Sequence, residues 1–373
     1  MKLTREEGTM QDQRVRVGVI GGGTWGNFHL LAARQLEAEG KVDLVAIADE
    51  YEPTAEKQSR SFGIKKYVSY QEMIHNENLD AVTIATPDHL HRSVAMFAMQ
   101  NGKHVLIEKP LDLTTAGCRE MVNAAQERNL LLMVDFHKRY DPYNQDVMHK
   151  IRSGQFGEPY HAYAYMEDKI TVPLDMLRNW AGHSSPFWFI GVHKLDLVRW
   201  ITGCEPVSVF AHGRKGKLLE SGLDTYDSVS AWIRFEDGFT CTIDVNWIIP
   251  NSFEALVNQG LRLVCSDGIV ELDGQDRGLR YCSSNDGTMT PNLGALVNHE
   301  SMLGYRAVSG YYVDPIKDFL LNVYFLKQGG SLGQLDGRYP SGLDGLKATQ
   351  TAEAVQKSIL EGRIVELAEI LQC

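Results

Sequence analysis

The chain has 373 residues, 43% of them apolar and 23% charged, with 37 Lys and Arg against 48 Asp and Glu for a net charge of −11. These proportions exclude a disordered chain, a collagen-like chain and a small disulfide scaffold, and at roughly 150 residues per domain the length suggests two domains with separate cores. The acidic balance counts against a nucleic-acid binder, which would carry a basic stripe, and against an anionic membrane surface, but a local pocket can oppose the global charge, so a small neutral or anionic substrate stays open.

Residues 1–13 are polar and lack the apolar core of a signal peptide. Val15–Ile20 is a short apolar run that ends in glycines, and a helical pattern follows over 28–36. Val42–Ala48 reads as a second strand, 81–85 as a third with a helix near 89–100, His104–Ile107 as a fourth with a helix near 115–128, and 130–134 as a fifth. Short apolar runs separated by helices indicate βαβ units and a parallel sheet covered on both faces.

The texture changes after about residue 136. Strand patterns occupy 160–166, Ser228–Phe235, 239–247, 261–265 and 269–272, and Glu236-Asp237-Gly238 and Ser266-Asp267-Gly268 read as hairpin turns. Residues 329–345 read as a loop and 345–361 as an amphipathic helix. The expected fold is therefore α/β, with a doubly wound parallel sheet over residues 14–137 and an α+β domain with a large open, mostly antiparallel sheet over 138–373. The cysteines (Cys118, Cys204, Cys241, Cys265, Cys282 and Cys373) form no C-x-x-C pair. They read as buried thiols of a reducing compartment. No apolar run is long enough to span a bilayer. The chain is expected in the cytoplasm, without membrane contact.

Gly21, Gly23 and Gly26 satisfy G-x-G-x-x-G between a strand and a helix. Gly21 suits a tight turn, Gly23 the approach of a pyrophosphate, and Gly26 close helix–strand packing, with Thr24 and Trp25 inside the same turn. The second strand ends at Asp49, where a ribose-binding carboxylate belongs. Asp49 and Glu50 together disfavour a 2′-phosphate, so the expected cofactor is NAD, with NADP less favoured.

Two more strand ends should face that cofactor. One reads Thr86-Pro87-Asp88-His89-Leu90-His91 and the other Glu108-Lys109-Pro110. Thr86, Pro87, His91, Glu108 and Lys109 are candidate cofactor contacts. A partly desolvated Lys109 would have a lowered pKa and could bind a substrate hydroxyl and share its proton. On composition alone, the reading as a surface lysine at a strand end prevails.

These motifs resemble the Gfo/Idh/MocA family of oxidoreductases. The resemblance rests on the glycine turn with His29, Thr86-Pro87 with His91, Glu108-Lys109-Pro110, Gly191-Val192-His193-Lys194-Leu195-Asp196 with Arg199-Trp200, and Pro340-Ser341-Gly342-Leu343-Asp344-Gly345. It spans about residues 14–368. It implies a Rossmann domain, a C-terminal domain whose open sheet makes a homodimer or homotetramer, a cis Lys109–Pro110 bond, and catalytic roles for Lys109 and His193. The family often carries an Asp four residues before this histidine; here the residue is Phe189. Asp196, three residues after His193, reads equally as a carboxylate that orients the imidazole and as a structural one.

Residues 168–187 are polar, aromatic and irregular. Arg178 and Trp180 there, and Lys138 after the fifth strand, are the substrate-binding candidates beside Asp196; a lid or a surface charge run is the competing reading. No metal-ligand set is visible: His89 and His91 lack a third partner. The expected function is NAD-dependent oxidation of a secondary hydroxyl in a sugar, inositol or related polyol. Tightly held NAD serving glycoside hydrolysis or epimerisation, and a non-enzymatic NAD-sensing regulator, are the alternatives.

Overall fold

The computed structural model describes residues 14–285, 287–302 and 304–371; the expectations placed on residues 1–13 and Cys373 lie outside them. The chain begins β1 (Val15–Ile20), α1 (Thr24–Ala38), β2 (Val42–Ala48), α2 (Glu52–Phe62), β3 (Lys65–Tyr67), α3 (Tyr70–Asn76), β4 (Ala81–Ile84), α4 (His91–Gln100), β5 (His104–Ile107), α5 (Thr115–Glu127) and β6 (Leu132–Val134). The six strands pair in parallel in the order β3-β2-β1-β4-β5-β6. The order reverses between β1 and β4, and that reversal opens a crevice beyond the carboxyl ends of the strands. Alternation explains the two covered faces. Val15, Val17 and Val19 pack with Leu30, Ala33 and Leu36 of α1. Ile20, Val82 and Ile84 pack on the other side with Val94, Ala95 and Ala98 of α4. β3 escaped the sequence reading because Lys65 and Lys66 are exposed on it, as suits an edge strand.

The second half runs α6 (Pro142–Arg152), β7 (Pro159–Lys169), α7 (Val192–Thr202), β8 (Pro206–Arg214), α8 (Lys217–Glu220), β9 (Ser228–Phe235), β10 (Thr240–Ile249), β11 (Val257–Cys265) and β12 (Ile269–Asp273). Two small hairpins follow, β13 (Tyr281–Ser283) with β14 (Gly287–Met289) and β15 (Val297–Glu300) with β16 (Arg306–Ser309). Then come α9 (Asp314–Lys327), α10 (Leu332–Leu335), α11 (Gly342–Glu361), β17 (Val365–Glu366) and α12 (Leu367–Leu371). The large sheet has seven strands in the order β12-β11-β7-β10-β9-β8-β17. It is antiparallel apart from the parallel β7–β10 pair. On β7 the period of two turns Ala162, Ala164, Met166 and Asp168 inward, while His161 and Tyr163 face out. A carboxylate thus sits on the buried register at the end of an otherwise apolar row.

The change of sheet falls near residue 137, but packing crosses it. Val313 and, on α9, Ile316, Phe319, Leu320 and Val323 are buried with Val15, Val17, Val19 and Met133 of the first sheet. α11 closes on the same region: Ser341, its N-cap, bridges Met133, and Glu353 accepts from the Thr115 N–H. Each such apolar side chain contributes about 1.5–3 kcal/mol on burial, so the two halves are joined by core packing and not by a linker alone.

Candidate active site

A cleft of about 500 Å³ opens at the carboxyl ends of β1, β2, β4 and β5 and runs toward the inner face of the large sheet. At one end lies the glycine turn. Gly21 has φ +91°, and a Cβ there would meet the Ala85 carbonyl oxygen at 2.4 Å. A Cβ on Gly26 would meet the Gly21 oxygen at 1.9 Å, whereas one on Gly23 would meet nothing within 4 Å. So Gly21 and Gly26 are required by the close strand–helix approach, and Gly23 leaves open space over the start of α1. No side chain caps that helix; its first N–H groups and its dipole are available to an anion. Asp49 ties the turn down, its Oδ2 accepting from the Gly22 N–H at 2.7 Å and its Oδ1 from the Tyr51 N–H at 2.9 Å. Gln58 Nε2 donates to the Gly22 carbonyl at 2.8 Å, a clamp with no motif to announce it. This cradle fits the diphosphate and ribose of a nicotinamide dinucleotide.

Gly21, Gly23, Thr24, Trp25, Asp49, Thr86, Pro87, Glu108 and Lys109 all line the cleft, as do Trp180 and His193. Five expected contacts lie elsewhere. Gly26 acts through packing, as above. His91 is buried, with Nδ1 2.6 Å from the Pro110 carbonyl oxygen and Nε2 3.0 Å from that of Thr86, so it braces the two loops from behind. Arg178 is exposed outside the cleft lining. Asp196 does not orient His193: it is spent on Arg139, whose Nε donates to Oδ2 at 2.8 Å, and Arg139 also bridges to Asp344 at 2.9 Å. That buried network ties α7 to α11 and is structural. Lys138 is buried just outside the cleft lining, with Nζ 4.3 Å from the Tyr311 ring centroid.

Lys109 and His193, which come from opposite halves of the chain, meet in this one cleft. Lys109 is 4% exposed and donates to the Phe189 carbonyl oxygen at 2.6 Å, with its ammonium 3.9 Å from the centroid of the Phe189 ring. The Lys109–Pro110 bond is cis. Burial lowers the Lys109 pKa, while the carboxyls of Asp88, Glu108, Asp168 and Asp135 oppose that shift. His193 sits in the first turn of α7, 2% exposed, and its Nδ1 has no protein partner. Burial, reinforced by His137 and Lys109, holds its pKa well below the usual imidazole range, so the ring is neutral and free to accept a proton.

Further residues complete the cleft, and His137 and Asp168 among them were not singled out from the sequence. His137 lies between Trp25 and Tyr311, stacked on them at 5.5 Å each, with its ring 4.3 Å from that of His193. Burial raises the Asp168 carboxyl to about 7, against the pull of Lys109. Asp88 accepts from the Ser184 hydroxyl at 3.0 Å. Phe189, Trp180, Met176, Leu177 and Leu256 add an apolar wall. Behind Glu108, His29 Nε2 lies 3.2 Å from its Oε1, and Asp135 completes a buried trio whose ligand atoms lie within 4.8 Å of one another. Burial and the adjacent Glu108 push the Asp135 carboxyl well above the usual carboxylate range.

A dinucleotide cradle facing a buried ammonium and a neutral imidazole defines a nicotinamide-dependent oxidoreductase. Comparison with known proteins gives the same class. Residues 15–136 match the model of an oxidoreductase family with an NAD-binding Rossmann fold, and residues 144–271 match the GFO/IDH/MocA C-terminal domain. The chain belongs to the GFO/IDH/MocA family. It is 27% identical over 359 residues to an inositol 2-dehydrogenase of Rhizobium meliloti, covering 95% of this chain and 99% of that one. It is also 27% identical over 361 residues to a myo-inositol 2-dehydrogenase of Thermotoga maritima, covering 96% and 100%. Its fold matches a crystal structure of scyllo-inositol dehydrogenase from Lactobacillus casei with bound NAD(H) and scyllo-inositol, with TM-score 0.76, 18% identity and coverage of 95% and 99%. No helix among the described residues is long and apolar enough to cross a membrane.

Proposed function

We propose that the chain oxidises a secondary hydroxyl of a sugar, inositol or related polyol with NAD, in the cytoplasm. The observation that carries this is the meeting of Lys109 and His193 in the cleft that the glycine turn closes. Gly21, Gly23, Thr24 and the start of α1 would hold the diphosphate, and Asp49 the ribose. When bound, the nicotinamide supplies the hydride acceptor. Lys109, held by the Phe189 carbonyl, binds the substrate oxygen through one of its remaining N–H groups. The neutral His193 ring takes the hydroxyl proton. The apolar wall of Phe189, Trp180 and Leu256 keeps water from the reacting oxygen. Asp49 and the adjacent Glu50 line the cleft and repel a 2′-phosphate, which favours NAD over NADP.

The names of the relatives support a polyol, as do the aromatic and polar side chains that share the cleft. Exposed Phe210, Tyr163 and Trp232 on the outer face of the large sheet support a homodimer or homotetramer built on that face. The test is absorbance at 340 nm with NAD over a panel of polyols, aldoses and sugar acids. NADH formation on a member of that panel is expected; its absence on every member, with NAD shown to bind, would sink the reading.

A further inference from the structure

Beneath the two cleft histidines lies a group of cations that this chemistry leaves unused. Lys138 follows His137 in the chain, and Lys194 follows His193. They are 3% and 2% exposed. Among the described residues, neither ammonium has a carboxylate in salt-bridge reach or a hydrogen-bond acceptor. Lys138 instead faces the Tyr311 ring, and Tyr311 stacks on His137, which lines the cleft. Arg277 completes it, its side chain 7% exposed and paired with Asp141. Asp141 also accepts from the Tyr143 N–H at 3.1 Å, and the buried Asp168 carboxyl faces Lys138 from β7. Asp273, the next acidic neighbour, is exposed and already accepts the Gln275 and Asp276 N–H groups at 2.8 Å.

Three buried cations therefore face two buried carboxyls, of which only Asp141 is in salt-bridge reach of one of them. An unpaired buried ammonium is costly to hold and is retained where something compensates it. Burial brings Lys194 down to about 7, and burial together with Lys194 holds Lys138 well below its usual range. A negative group arriving from the cleft would restore both charges and satisfy their N–H donors.

We propose that Lys138, Lys194 and Arg277 form an anion-binding subsite at the substrate end of the cleft, so that the natural substrate carries a carboxylate or phosphate as well as the hydroxyl to be oxidised. This rests on the oxidoreductase reading and narrows it from neutral polyols to anionic ones. The negative net charge of the protein is no obstacle, because the local balance is reversed.

Isothermal titration of the full chain, with NAD saturating so that the glycine turn is filled, tests this without turnover. Inorganic phosphate is the first probe. Glucitol, gluconate and glucitol 6-phosphate then compare a neutral chain with its carboxylate and phosphate forms. Phosphate is expected to bind at one site, and whichever sugar anion matches the source is expected to bind at least about 10-fold more tightly than glucitol. Lys194→Met and Lys138→Met should each reduce these affinities about 10-fold and, by removing an unpaired buried charge, keep or raise the thermal midpoint. The proposal fails if phosphate gives no binding and neither anion exceeds glucitol, or if both variants bind like the wild type. Should a variant not fold, the wild-type comparison decides alone. Phosphate binding without NADH from any polyol would keep the subsite and remove the polyol reading; NADH from neutral polyols without phosphate binding would do the reverse.

Discussion

The two ends of the cleft are built on different principles. The cofactor end is mostly backbone: a glycine turn, a helix start and one carboxylate pinned by two N–H groups, all within the first βαβ unit and its return strand. The substrate end is mostly side chain. It draws Lys109 from the turn after β5, His137 from the turn after β6, Asp168 from β7, His193 from α7 and Tyr312 from the segment before α9. A backbone site needs only local sequence and tolerates little change in it. A side-chain site gathered from five segments can be rewritten one residue at a time.

The sharpest way to break this comparison is Lys109→Ala. Turnover should fall by about 10²–10⁴-fold, the range for losing a positioned acid–base group. NAD affinity, read by titration, should stay within about twofold, because Lys109 belongs to the substrate end. Equal losses in both would mean that the two ends are not separable. Asp49→Ala should do the opposite at smaller scale, weakening NAD about 10-fold through a loosened turn and a lost ribose acceptor, and narrowing the gap to NADP. An unchanged NAD-to-NADP ratio would remove Asp49 from cofactor choice.

Asp168→Asn gives the smallest effect, and it is one of stability. The folded carboxyl titrates near 7 against an ordinary value of 3.8. Between those values the folded protein holds a proton that the unfolded chain has lost, so stability declines as pH rises through that window and the penalty is complete above about 7. Asparagine removes it. The thermal midpoint of Asp168→Asn should therefore exceed that of the wild type more at pH 8 than at pH 5. A gain independent of pH would show that Asp168 is not a buried, destabilised carboxylate.

Legibility in the sequence follows the same division. G-x-G-x-x-G and the strand-ending Asp49 were readable because their geometry is set over a few residues. Lys109 and His193 were readable through the motifs around them, and their meeting is a matter of tertiary structure. Asp196 misled: a carboxylate three residues after His193 lies close on the helix, but Arg139, distant in sequence, takes both its oxygens. Arg178, in an irregular segment, had no periodicity to say which way it points. α9 was missed as part of the first layer, since nothing in 314–327 states that its apolar face fits a sheet built from the other end of the chain.

By itself the sequence determined five of the six strands of the first sheet, their parallel pairing and the phosphate turn, because hydrophobic period and backbone freedom are properties of neighbouring residues. Tertiary structure alone decided which charges pair, which remain unpaired beneath the cleft, and how far water is removed from each. Those depend on long-range packing and on the dielectric it creates, and no short stretch of chain contains either.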